Sequence, residues 1–404
     1  MRPSRLSLTI ICAALALPLT LLTPPAAATT LKQAFESAWQ RAPAARTLEA
    51  RQDEASAARQ NAGSWLASNP TLGLSHRADR GPSARDEREL EVSVSSSFWR
   101  PGQKSARQAL AASSSAEVAA HLDATRLAVA GLVRNRLWEA TAAQVTMDEK
   151  QDHLEHLEGL ADEVARRVKA GDLARSDALL ATQEVLAARI AVMQARSAAA
   201  EALIRYRLVT GLPQLPALEP EALAASSART NPRLLAARAS EQRSRAALRL
   251  AVTNRTPAPV IAFSVRRNDE SQLREPVNSV GVALQVPIGS AFLNRSVETG
   301  ALTQIATAAA ETTSMQAEAD ADVEIAQQKL GNARSALELA TARAAALHQH
   351  TTLFEKAFRA GERGLADLLR SRALTHEADV AVAQQQVALG QAHAQHNQAL
   401  GILP

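Results

Sequence analysis

Apolar residues recur in steps of three and four along most of the chain, and in two short windows the step drops to two. The first pattern runs through Val118, Leu122, Thr125, Val129 and Leu132, then Leu154, Leu157, Ala161, Val164 and Val168. It predicts a long helix with a narrow, Ala-rich coiled-coil seam. Helices are expected over 31–66, 103–169, 173–209, 232–254, 294–359 and 364–400. At 1.5 Å per residue the second of these is on the order of 100 Å long. Such a helix cannot bury itself in a compact globule, so it must pack beside others as a bundle or tube.

In the period-two windows, Leu90, Val92, Val94 and Phe98 alternate with Glu91, Ser93, Ser95 and Ser97. Ile261, Phe263 and Val265, then Val280, Val282, Leu284 and Val286, repeat the alternation. These predict β-hairpins over 70–99 and 259–288, with charged tips. Strands of about ten residues, apolar on one face and small or polar on the other, match a transmembrane β-barrel. Trp65, Phe98, Trp99 and Phe292 stand near the hairpin bases, where interfacial aromatics belong. Four strands cannot close a barrel, and open edges leave backbone groups unsatisfied in lipid. Subunits must therefore share it, and three copies supply twelve strands.

The chain is duplicated. Pro43 lies opposite Pro232, Pro70 opposite Pro259, Ala170-Gly171 opposite Ala360-Gly361, Asp177 opposite Asp367 and Gly211 opposite Gly401. The offset is 189 or 190 residues throughout. One unit of helix, hairpin, very long helix, tight break and helix thus occurs twice, over 29–211 and 231–404, joined by a Pro-rich linker over 212–230.

Residues 1–28 carry Arg2 and Arg5, an apolar run from Leu6 to Leu22 and Ala26-Ala27-Ala28. These are the parts of a cleavable signal peptide. The only cysteine, Cys12, falls inside it, so the exported chain would have no disulfide and no thiolate chemistry. Net charge is +4, which loss of Arg2 and Arg5 lowers to +2. With aromatics at 3%, nothing favours nucleic acid.

Candidate chemistry is sparse. His153 and His156 share a helix face, as do His393 and His396, and such pairs can hold a metal. Neither has a third ligand nearby in sequence, and solvated helix surface is the expected role. No nucleophile elbow, phosphate loop or carboxylate dyad is present, so neither an enzyme nor a cofactor is expected.

The repeated plan, the turns "VKAGDLARSDALLA" and "FRAGERGLADLLRS", and the ends "LVTGL" and "QALGIL" resemble the TolC family of outer-membrane efflux proteins. The resemblance covers essentially the whole mature chain. It implies a mainly α fold with a membrane β part: a homotrimer whose 12-stranded barrel in outer-membrane lipid continues into an α-helical periplasmic tunnel. It implies a passive exit duct in a Gram-negative outer membrane, served by a periplasmic adaptor and an inner-membrane pump of RND type. "NPTLGLSHR" and "SSFWRPGQKSARQALAA" are most similar to the CzcC-type heavy-metal branch, although Arg100-Pro101-Gly102 stands where that branch has a double glycine. Drug, organic or type I protein export through the same duct is one alternative, and a periplasmic coiled-coil scaffold another. By the resemblance, Ala170, Gly171, Ala360 and Gly361 would be adaptor-docking tips. Ser176, Asp177, Phe358, Arg363 and Asp367 would form the periplasmic gate, with helix capping as the alternative role for the acids.

Overall fold

The computed structural model describes residues 30–79, 87–216, 219–224, 230–270, 275–289 and 291–404. Residues 1–29, with Cys12 and the expected signal peptide, residues 80–86 and 271–274 of the hairpin tips, and residues 217–218 and 225–229 of the linker lie outside the described residues.

The first helical stretch is two helices, α1 (Leu31–Arg41) and α2 (Pro43–Gly63), where one over 31–66 was expected. Ala42 is extended because the residue before a proline is pushed out of the α region, and Pro43 then opens the next helix. Thr30 and Gln33 close a capping box on α1. After the first hairpin come α3 (Gln103–Ala170, 68 residues) and α4 (Arg175–Thr210). The second copy supplies α5 (Pro232–Thr253), α6 (Ala291–Arg359, 69 residues) and α7 (Leu365–Ala399). α3 packs along α4, α5, α2 and α7, while α6 packs along α5 and α7.

The lower α3 seam follows the expected positions, with Leu154, Leu157 and Val164 buried. Higher up it does not: Leu132 is exposed, and Leu127, Ala130, Val133 and Leu137 are buried instead. There α3 meets α1 and α4 together, and Val133, Leu137 and Ala140 form one core with Ala34, Ala38 and Tyr206. Two neighbours, not one, select the buried face.

The strands β1 (Thr71–Ala78), β2 (Glu87–Ser97), β3 (Val260–Glu270) and β4 (Val277–Gln285) form one antiparallel sheet in that order. The two copies meet at β2–β3. Register puts Leu72, Val94, Phe263 and Val282 in one row, and Leu74, Val92, Val265 and Val280 in the next. All eight are exposed, Val280 to 80%. On the opposite face Gly73, Ser93, Ser264 and Gly281 share a row. A Cβ on Gly73 would come 2.6 Å from the Ser93 Oγ, so that row accepts little more than hydrogen and hydroxymethyl. Arg266 ties the copies together by ion pairs to Glu89 (2.8 Å) and Glu91 (3.0 Å). At the base, the Trp65 ring meets Phe98 edge-on at 6.3 Å, and Trp99 Nε1 donates to the Ser64 carbonyl at 2.9 Å. Among the described residues no helix is long and apolar enough to cross a membrane.

Candidate functional site

α3 and α6 end far from the sheet, and each ends the same way. Gly171 (φ 89°) and Gly361 (φ 76°) take left-handed backbone, which costs other L-residues roughly 1–2 kcal/mol. The N–H of Gly171 donates to Val168 at 3.1 Å and that of Asp172 to Arg167 at 2.9 Å. In the second copy Gly361 donates to Phe358 at 3.1 Å and Glu362 to Ala357 at 2.9 Å. This satisfies two of the orphaned carbonyls at each helix end. Ala170, Gly171, Ala360 and Gly361 are all exposed.

The five residues assigned to a gate fall into different settings. Ser176 is exposed. The Asp177 carboxylate accepts from the Ala174 N–H at 3.2 Å and caps α4. Arg363 and Asp367 are exposed and 3.9 Å apart on one turn, and the Arg363 guanidinium lies 5.3 Å from the Phe354 ring. Phe358 is buried to 3% exposure. It packs with Leu160 and Val164 of α3, Ala181 of α4 and Leu365 and Leu368 of α7, under the Arg167 guanidinium at 4.9 Å. It is therefore a joint between the two helical hairpins.

A cavity of about 800 Å³ opens between α3, α6 and α7. Here the His153 ring stacks on His376 with centroids 3.9 Å apart and planes 6° from parallel. Lys150 Nζ lies 3.4 Å from His376 Nε2, and His348 Nε2 lies 2.8 Å from Asp379. Burial, then repulsion from a protonated His153 and from Lys150, lowers His376 to about 4. Burial, then Lys150, lowers His153 as well. Burial raises Glu149, helped by Asp379, Asp152 and Asp148. His153 was expected to face solvent, and its partner comes from more than two hundred residues away. Among the described residues no group of three His, Cys, Asp or Glu is placed to hold a metal ion.

Sequence reasoning missed a second polar knot. Arg134, 2% exposed, donates to both carboxylate oxygens of Glu221 (2.8 and 2.6 Å), to Gln398 Oε1 (2.7 Å) and to the Ile402 carbonyl (2.9 Å). Asn397 Nδ2 donates to Glu221 and to the Ala222 carbonyl, so linker and chain end are fastened to α3. The available signal was an Arg one turn from Ala130 and Leu137, on the buried face of α3. Such a position demands a partner.

No family model matches the chain, and no curated protein matches it in sequence. Solved structures do. The outer membrane protein VceC of Vibrio cholerae is similar over 92% of this chain and 96% of its own, with a TM-score of 0.74 at 14% identity. CusC, solved in a study of folding and transmembrane channel formation, is similar over 92% of both chains with a TM-score of 0.77 at 14% identity. The MtrE outer membrane channel of Neisseria gonorrhoeae, in its open state, is similar over 93% and 89% with a TM-score of 0.74 at 17% identity. These likenesses do not single out a heavy-metal branch. They do establish the architecture: the chain has the fold of an outer-membrane channel protomer.

Proposed function

We propose that the chain is one protomer of an outer-membrane exit duct in a tripartite efflux system, passively conducting cargo from an inner-membrane pump and its adaptor to the exterior. The observation that carries this reading is the sheet. Its apolar rows face outward uncovered, its other face is small and polar, and β1 and β4 are its two edges. A surface of that kind is satisfied by lipid on one side, a wet lumen on the other and further strands at both edges. Three copies then give a 12-stranded barrel. The exposed Leu186, Ile190 and Met193 of α4, and Ile325 and Leu339 of α6, give the helices equivalent faces for neighbouring copies. The structural neighbours are channels, which fits a non-enzymatic role.

On this reading Ala170-Gly171 and Ala360-Gly361 dock the adaptor, and Ser176, Asp177, Arg363 and Asp367 ring the periplasmic entrance while Phe358 braces it from inside. The signal peptide directs export, and heavy-metal cations are the favoured cargo. The decisive experiment extracts the protein from outer membranes in mild detergent and compares its migration before and after heating. A detergent-resistant trimer that collapses to monomer on heating is expected. A soluble periplasmic monomer or dimer would overturn the proposal and favour a scaffold.

A further inference from the structure

His153 belongs to the first helical hairpin and His376 to the second, so their stack is a contact between hairpins. Two imidazoles in near-parallel contact attract while at least one is neutral, and repel when both carry a proton. We propose that this pair is an acid-released latch: it holds α7 against α3 at neutral pH and drives the second hairpin away from the first when both rings are protonated.

The surroundings decide whether counter-charge cancels that repulsion. From α3 the pair meets Glu149, Lys150, Asp152 and His156; from α6, His348 and Glu355; from α7, Arg372 and Asp379. Glu355 is already engaged by Arg372 at 2.7 Å, and Asp379 by His348 at 2.8 Å. Lys150 adds positive charge 3.4 Å from His376 Nε2. That leaves Glu149 and Asp152. Glu149 is raised by burial and by its acidic neighbours, so it gives up charge early as pH falls. Asp152 is exposed and solvent-screened. The balance in acid is repulsive.

The direction with pH follows from proton uptake. Above the ordinary histidine value of 6.5 neither the docked nor the separated arrangement binds these protons. Between 6.5 and about 4 the separated rings take them and the docked His376 does not, so docking weakens as pH falls. Below about 4 both arrangements are charged and the effect is complete. The latch uses contacts within one chain and stands whether or not the molecule is a duct.

The test places spin labels on the exposed positions Glu155→Cys of α3 and Ala373→Cys of α7 in the full chain in detergent, and reads their separation from pH 8 to 4. The expected result is a constant separation above pH 7, then a lengthening with its midpoint between 6.5 and about 4. His376→Phe keeps a flat ring against His153 but cannot titrate. It should match the parent separation at pH 8 and lose the lengthening. His153→Phe is the same test from the other hairpin, should the first variant not fold. No lengthening in the parent, or an unchanged response in the Phe variants, would overturn the latch. So would a response that disappears with EDTA, because a bound metal ion rather than a proton would then hold the pair.

Discussion

In the first hairpin the seam between α3 and α4 is filled by Leu154, Leu157, Val185, Ala188 and Val192. The second hairpin has the same backbone plan and a different interior. Ala161, Ala181 and Val185 of copy one stand 190 residues before Thr351, Ser371 and Thr375 of copy two, and all three of the latter are buried. The Thr351 hydroxyl lies 2.7 Å from the Ser371 hydroxyl and 2.7 Å from that of Thr375, and His350 Nδ1 lies 2.9 Å from Ser371 Oγ. The two helical hairpins thus share turn glycines and nearly equal helix lengths, but one has an oily seam where the other has a hydroxyl network. Apolar burial stabilises in proportion to area without regard to direction. Hydroxyl pairs contribute less net but fix which residue meets which. The first hairpin reads as the rigid wall and the second as the element that opens at lower cost.

Truncation should separate the two most sharply. Leu157 is buried, whereas its counterpart Leu347 is half-buried. Leu157→Ala is expected to lower the local opening free energy of α3–α4 by about 2–5 kcal/mol, and Leu347→Ala to affect α6–α7 distinctly less. Amide hydrogen exchange in each hairpin measures both, and equal losses would contradict the asymmetry.

The hydroxyl network gives the next largest effect. Thr351→Val removes the hub and with it two hydroxyl pairs, at a cost of about 1 kcal/mol. Ser371 Oγ keeps His350 Nδ1, and Thr375 Oγ1 keeps the Ser371 and Leu347 carbonyls. The triple change Thr351→Val, Ser371→Ala and Thr375→Val removes every hydroxyl together. It should recover part of that loss, since the three buried oxygens go together and the His350 Nδ1 that loses Ser371 belongs to an exposed residue. If the triple variant is worse than the single one, hydroxyl pairing is not what holds this seam.

Which parts of this were legible in the sequence depends on how far apart the interacting residues lie. Strand alternation at Val92 and Val94 or at Val280 and Val282 is a local signal, and the second copy repeats it. The glycine turns were legible for the same reason. The break before Pro43 is equally local, since the residue before a proline is pushed out of the α region. Periodicity puts Leu132 on the α3 seam, but two neighbouring helices, invisible in one helix's spacing, bury Val133 instead. Aligning turn on turn located Phe358 near the tips, but turn alignment does not say that α3, α4 and α7 close over its ring. The partners of His153 and Arg134 come from other ends of the chain, beyond the reach of any spacing rule.

The smallest effect distinguishes the two tips. Asp177 accepts a hydrogen bond from the Ala174 N–H and lies in the first turn of α4, where the helix dipole also favours its charge. Asp367 occupies the matching place in α7, and its partner is instead the exposed Arg363 at 3.9 Å. Losing a cap costs about 1 kcal/mol, whereas a solvated pair on one helical turn contributes about 0.3–0.5. Asp177→Ala should therefore speed exchange of the Ala174 amide and fray the start of α4, while Asp367→Ala leaves α7 almost unchanged. Salt should weaken the Asp367 contribution and spare the Asp177 cap, because screening acts on exposed charges and little on a hydrogen bond to the backbone. If Asp367→Ala frays α7 as much as Asp177→Ala frays α4, the acids are equivalent caps and the Arg363 contact is incidental. If only Asp177 behaves as a cap, Asp367 is the acid left free for the entrance role proposed above.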